Sequence, residues 1–414
     1  MTREIMVLGA GMVGVSVAWH LARRGHDVTL VDRREPGRET SFGNAGLIQR
    51  EAVRPYPFPR DLATLARVLP NRAVDIRYRP GGMLRAAGPL LQYWRNSAPS
   101  RYRRLIPEYA ALIGLSLDTH APMIEAAGAE SLVRRDGWLE VYRHAGKLEA
   151  RLEDAEENDA RFGVHYRRLE PDELAAMEPN LSPGLAGAVQ WQDSWSVADP
   201  GGLVQAYARA FEAEGGRVLC GEVNDVTRDS EGWRVEVDGQ DRHAADVVLA
   251  MGPWSRAWLE RLGLTVPLFV KRGYHMHYGS AGEARLNHWV MDAEVGYLLA
   301  PMRAGIRLTT GAELERLEAP PHHQQLAAAE ARAKELFPLG ERLESTPWKG
   351  ARPCMPDMKP VIGPAPGQRG LWCAFGHGHH GFTLGPATGH LLSQMMDGEA
   401  TEIEMAPYRF DRFY

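Results

Sequence analysis

The chain opens with an unbroken apolar run, Ile5-Met6-Val7-Leu8, followed by a glycine turn and then apolar positions at Val13, Val17 and Leu21. The run predicts a strand buried on both faces of a parallel sheet. The four-residue spacing predicts a helix with one apolar stripe, stopping at Gly25. Val28 to Val31 is a second strand, closed by Asp32, and the three segments make a βαβ unit. Farther on, an acidic helical pattern covers Lys147 to Phe162, and a helix over Leu203 to Glu214 follows Asp199-Pro200-Gly201. A hairpin-like pair spans Gly232 to Val237 and Arg242 to Ala250, with Ala244 to Ala250 also reading as a central strand. Short alternating segments over 266–312 predict antiparallel sheet. A helix near Gln324 to Phe337, the apolar strand Leu371 to Phe375 and a last helix, Pro386 to Met396, complete the pattern.

Composition narrows this picture. With 414 residues, 44% hydrophobic and 24% charged, the chain is too long for one simple core and predicts two domains of ordinary globular character. The fold class is α/β: a Rossmann-like domain with helices on a mostly parallel sheet, and an α+β domain built on an antiparallel sheet. A net charge of −5 gives no global reason to expect a nucleic-acid partner. Cys220, Cys354 and Cys373 are too few and too scattered for a disulfide framework. The opening residues carry no signal-peptide pattern and the chain no membrane-spanning apolar run, so a cytoplasmic protein is expected. Residues 50–104 hold twelve arginines. They form either a solvated surface or a contact with anionic lipid at the inner face of the membrane or with an electron-accepting partner.

Two glycine-rich turns carry the candidate chemistry. Gly9-Ala10-Gly11-Met12-Val13-Gly14 is GxGxxG between a buried strand and an amphipathic helix, with an acid, Asp32, about twenty residues on, as dinucleotide binding requires. Gly9 permits the tight turn, Gly11 lets backbone approach a pyrophosphate, and Gly14 lets helix pack on strand. Asp32 is placed to accept from ribose hydroxyls. FAD and NAD both carry the ADP half this unit holds. The second turn lies in "GHGHHGFTLGPATGHLL", Gly376 to Leu392. Its three clustered histidines, His377, His379 and His380, lack Asp, Glu or Cys at ligand spacing, so no metal is expected. Gly376, Gly378, Gly381 and Gly385 instead let the loop lie flat against a planar ligand, with the next helix presenting its positive end.

"IMVLGAGMVGVSVAWHLARRGHDVTLVD", "ETSFGNAGLI", "VVLAMGPWS", "WKGARPCMPDMKPVIGPAP" and the histidine-rich stretch resemble, in order, the signatures of FAD-dependent amine and amino-acid oxidoreductases. That group includes D-amino-acid dehydrogenase, glycine oxidase and D-hydroxyproline dehydrogenase. The resemblance implies an FAD-binding domain over 1–84, 147–264 and 347–414 and a substrate domain over 85–146 and 265–346. It implies noncovalent FAD held by Gly9, Gly11, Met12, Val13, Gly14, Asp32, Arg33, Ser41, Asn44, Ala45, Gly46, Leu47, Val223, Gly252 and Trp254. Arg352 and the loop residues Gly376, His377, Gly378, His379, His380, Gly381, Phe382 and Thr383 would complete the cofactor site. Arg352 and Tyr297 would hold a substrate carboxylate. His379 and His380 would face substrate, where one takes a proton, bonds a hydroxyl, or merely packs on the flavin edge. The implied reaction is hydride transfer from Cα of a D-amino acid or cyclic imino acid, of the D-proline or D-hydroxyproline type, to flavin N5. Quinone, another flavoprotein or oxygen would then take the electrons. A glycine- or sarcosine-type oxidase, an NAD-linked dehydrogenase and a non-catalytic flavin-binding regulator are the alternatives.

Overall fold

The computed structural model describes residues 2–230 and 232–414. Of the ranges given above, positions 1 and 231 lie outside them. The chain begins with β1 (Glu4–Leu8), α1 (Met12–Arg23) and β2 (Asp27–Asp32). Helices α2 (Pro99–Gly114), α3 (Ser116–Ala126) and α4 (Pro200–Ala213) precede strands β3 (Arg217–Cys220) and β4 (Asp246–Leu249). The long strand β5 (Phe269–Ser280), then β6 (Gly305–Thr309), β7 (Trp348–Cys354), β8 (Val361–Pro364), β9 (Leu371–Phe375) and α5 (Gly381–Asp397) follow.

One sheet has the order β3-β2-β1-β4-β9-β8 and is parallel except for the edge strand β8. Its central members β1 and β4 are apolar on both faces because α1, α4 and α5 cover one side. A small antiparallel sheet, Val223–Arg228, Trp233–Val237 and Gln240–Ala244, covers the other. The second sheet is larger and mostly antiparallel, with β5 pairing β6 and β7. The architecture is thus the α/β pairing of a Rossmann-like domain with a second, sheet-based one.

Several boundaries differ from the sequence expectation, each for a physical reason. The run Arg242 to Ala250 divides at Ala245, since Gln240–Ala244 closes the hairpin while β4 joins the parallel sheet. Asp199 caps α4 by accepting from the Gly202 amide at 2.9 Å, so that helix starts at Pro200 rather than Leu203. The last helix starts at Gly381, five residues before Pro386. Proline cannot supply the amide that would bond the Phe382 carbonyl. His120 on α3 does so instead, with Nε2 at 3.1 Å, while its Nδ1 accepts from the Tyr207 hydroxyl at 2.9 Å.

Domain membership also departs from the ranges expected. Helices α2 and α3 pack Tyr109, Leu112, Ile113, Met123 and Ile124 into a core shared with α1 and α5, which also takes in Trp138, Trp191 and Leu298 of the large sheet. Conversely Tyr166–Leu169, Gly187–Trp191 and β7 are strands of that large sheet. An apolar stripe shows that a face is buried without showing which core receives it.

Helix α5 touches α1 through its own glycines. A Cβ on Gly389 would lie 2.6 Å from the Ser16 backbone, and one on Gly385 2.6 Å from Met12 Cγ. Gly389→Ala is therefore expected to destabilise the protein by about 1–3 kcal/mol. Gly146→Ala, in a helix where a Cβ meets nothing within 4 Å, should leave the thermal midpoint unchanged or raise it. Thermal unfolding of the two variants checks the contrast.

Candidate active site

A cavity of about 340 Å³ runs between the two glycine turns. At one end β1 stops at Leu8 and Gly9 turns with φ +107°, a conformation only glycine adopts freely. A Cβ on Gly14 would stand 1.7 Å from the Gly9 carbonyl oxygen, so that glycine shapes the turn without lining the cavity. Asp32 lines it and orders the turn by accepting from the Ala10 amide at 2.7 Å and the Arg34 amide at 3.1 Å. Burial raises the pKa of its carboxyl, against the lowering effect of those amides. Arg33 stacks over Trp254 at 4.5 Å, with Val223 and Gly252 beside them.

The middle of the cavity is built by residues 41–47. Ser41 Oγ accepts from the Met12 amide at 2.9 Å, and the Asn44 side chain accepts from the Gly46 amide at 2.8 Å. Ala45 and Leu47 line the wall. Gly46 lies behind it, where a Cβ would meet the Val197 carbonyl oxygen at 2.2 Å. Buried Arg307 fixes this loop by donating to the Phe42 and Asn44 carbonyls. Thr383 is also a support rather than a lining residue, since its hydroxyl accepts from the Gln49 amide and donates to the Leu47 carbonyl.

Arg352 on β7 stands at the far end. Its guanidinium donates to the carbonyls of Gly311 at 2.9 Å, Thr310 at 3.4 Å and Arg272 at 3.5 Å, and burial lowers its pKa from the ordinary arginine value. Among the described residues no carboxylate pairs with it, although arginine stays protonated. Trp348 lines the same stretch, held between Gly43 and Gly350 and stacked on His275 at 4.9 Å.

The three clustered histidines diverge. His377 Nε2 shares a 2.8 Å hydrogen bond with Thr388 Oγ1, and His380 Nδ1 shares a 2.6 Å bond with the Tyr109 hydroxyl. His377, Gly378, His379, Gly381 and Phe382 line the cavity; Gly376 and His380 do not. Burial, then the charges of Arg352 and Lys271, push the His379 pKa well down.

Tyr297 does not reach the site. Its hydroxyl donates to Asp292 at 3.2 Å and to the Arg332 carbonyl at 3.3 Å within the core on the other side of the large sheet. Strand alternation explains the miss, because the next residue, Leu298, is the one that lines the cavity. The tyrosines that line the cavity are Tyr274, on β5, and Tyr56, from an irregular segment and stacked on His380 at 5.8 Å. Gln49, Trp138 and Met291 were equally silent in the sequence, whereas Trp348 sits inside the quoted WKGARP motif.

Both α1 and α5 begin at this cavity with neither a side-chain cap on the preceding residue nor an acid in the first turn. Two helix N-termini opening on one elongated cavity, neither with an acid in its first turn, fit an anionic dinucleotide carrying a planar ring system. Such a site defines a dinucleotide-dependent redox protein. The chain belongs to the FAD dependent oxidoreductase family, which it matches over residues 4–395. It is 31% identical to a D-amino acid dehydrogenase of Cereibacter sphaeroides, over 99% of this chain and 95% of that one. It is 28% identical to a D-amino-acid oxidase of Bradyrhizobium diazoefficiens, over 99% of each. The glycine oxidase structure from Geobacillus kaustophilus superposes with a TM-score of 0.73 at 23% identity, covering 99% of this chain and 98% of that one. FAD is the cofactor, and this protein is an enzyme of that family.

Burial holds the pKa of His377 down to about 3 and those of His120 and His380 to about 4. Unfolding restores values near 6.5, so the unfolded chain binds more protons below that pH. Stability is full above about pH 6.5 and is lost as pH falls toward 4 and 3, at about 1.4 kcal/mol per pH unit for each histidine. Thermal midpoints at pH 7.5, 6 and 5 should fall in that order.

Proposed function

We propose that this enzyme oxidises the Cα–N bond of D-amino acids, cyclic imino acids such as D-proline and D-hydroxyproline included, to the corresponding imines. The observation that carries the reading is Arg352, a cation without an acid partner at the end of the cavity opposite the dinucleotide turn. Both relatives described above are named for D-amino acids.

Arg352 receives the substrate carboxylate in this reading, through the paired bonds its planar fork permits, while its existing carbonyl bonds fix the fork's orientation. His379 is kept neutral and accepts a hydrogen bond or proton from the substrate amine. The lost hydride is the electron pair and proton that bound FAD is chemically suited to take up. The start of α5 supplies positive potential at the cavity wall, and Phe382 and Trp138 keep that wall apolar. Cys354 is a buried thiol whose pKa burial raises, so it makes a poor nucleophile and the cofactor is bound noncovalently.

Anaerobic addition of D-amino acids should bleach the yellow flavin, while the L-enantiomers leave it oxidised. Arg352→Ala should lower kcat/KM by about ten- to a hundredfold, mainly through KM, as loss of one charge-assisted carboxylate contact predicts. Bleaching by L-enantiomers alone, or an unaltered KM, would overturn the assignment.

A membrane contact is proposed on a separate observation. Among the described residues the short helix Leu62–Val68 buries none of its side chains, and Leu62, Leu69 and Leu84 are 84%, 75% and 79% exposed between Arg60, Arg67 and Arg85. Apolar side chains framed by arginines suit the surface of an anionic bilayer. No helix among the described residues is long and apolar enough to cross one. The protein should sediment with phosphatidylglycerol vesicles and not with phosphatidylcholine vesicles, and Leu62→Asp with Leu69→Asp should abolish the difference.

A further inference from the structure

A second, smaller cavity of about 30 Å³ adjoins the first, and Tyr56, His377, Gly378 and His379 line both. Its wall also includes Lys271, Tyr93 and His380. The ladder between β5 and β7 explains how a lysine comes to be there. Lys271 and Arg352 oppose one another directly in the antiparallel register, so both side chains leave the same face of the sheet. Their heads then diverge. The Arg352 guanidinium lies over Gly273, where a Cβ would come within 2.6 Å of it, and reaches Gly311. The Lys271 ammonium turns the other way and sits 3.2 Å from the Tyr93 hydroxyl and 4.5 Å from the centre of its ring.

Two like charges on facing ladder positions repel, and enclosing them costs more unless anions are near. Elsewhere the fold answers buried cations with acids. Arg272 pairs with Glu313 at 2.6 Å, Lys359 pairs with Glu108, and Arg307 reaches Glu344 through His277. Among the described residues neither Lys271 nor Arg352 has such a partner. One substrate carboxylate would answer Arg352 and leave Lys271 unanswered. His380 adds a further unmet group, since its Nε2 is buried without a hydrogen-bond partner. A volume of about 30 Å³ has room for roughly two waters or one carboxylate, and not for a bulky apolar side chain.

We propose that the substrate carries a second carboxylate, bound by Lys271 in the side cavity. The enzyme's preferred substrates are then D-amino acids with acidic side chains, of the D-aspartate and D-glutamate kind. This rests on the D-amino-acid reading above and narrows it. Lys271 sets which substrate is accepted, while Arg352 holds the carboxylate common to them all.

Two measurements test it. In the wild-type holoenzyme, succinate should perturb the flavin absorption spectrum with a Kd at least tenfold below that of propionate, because only the dicarboxylate meets both cations. In Lys271→Met that preference should collapse, the ratio of kcat/KM for D-aspartate over D-alanine should fall at least tenfold, and Lys271→Arg should restore most of both. Equal wild-type affinities for succinate and propionate, or a D-aspartate to D-alanine ratio unchanged in Lys271→Met, would overturn the proposal. If D-alanine and D-proline reduce the flavin and D-aspartate and D-glutamate do not, this inference alone fails. If no D-amino acid reduces it, the broader reading fails, and the succinate comparison still reports on Lys271.

Discussion

The close approach of α1 to α5 is the constraint on which the site depends. Each helix begins at a glycine turn, one near each end of the chain, and each turn is useful only if the two helix ends open onto the same cavity. Gly385 and Gly389 allow this by bringing α5 against Met12 and Ser16 at distances no side chain would permit. Gly9 and Gly14 do the same between β1 and α1. Helix α5 then needs a replacement for the amide that Pro386 lacks, and His120 on α3 supplies it. A helix from the middle of the sequence is thereby tied to the wall of the cofactor cavity.

Charge follows the same geometry. Where the protein can satisfy a buried cation internally it does so, as at Arg272 and Glu313, where two nitrogens and the Tyr274 hydroxyl converge on one carboxylate oxygen. Around the cavity it does so only at the dinucleotide end, where Arg33 pairs with Glu39 at 2.8 Å. At the other end the start of α5 and Arg352 are left without acids. A site with that imbalance is destabilised by its own positive charge and relieved by anionic ligands, which is how differential binding of a negatively charged cofactor and substrate arises.

Much of this was legible in the sequence wherever the information is local. The GxGxxG turn and the strand from Leu371 to Phe375 follow from residue type and spacing, and the resemblance of WKGARP to its family's motif singles out Arg352, which does line the cavity. What was not legible depends on partners distant in the chain. Tyr297 fails because a single step along a strand exchanges faces. Pro386 misleads because its compensation lies in His120, far away in sequence. Tyr56 lies in an irregular segment where periodicity says nothing, and Lys271 gains meaning only from the register that sets it opposite Arg352.

That register also bears on the histidines. His379 stands between the two cavities, and its low basicity has two sources: burial, and repulsion from Arg352 and Lys271. Burial persists when a ligand enters, but the repulsion need not. A carboxylate on either cation cancels part of that field and moves the imidazole back toward its ordinary pKa. The imidazole is then most able to take a proton when an anionic substrate is seated beside it, and least able when the cavity holds none. On the proposed reading, the cations that would select the substrate also set when His379 would act as a base. Neither His377, bonded to Thr388, nor His380, bonded to Tyr109, has both cations among the charges acting on it.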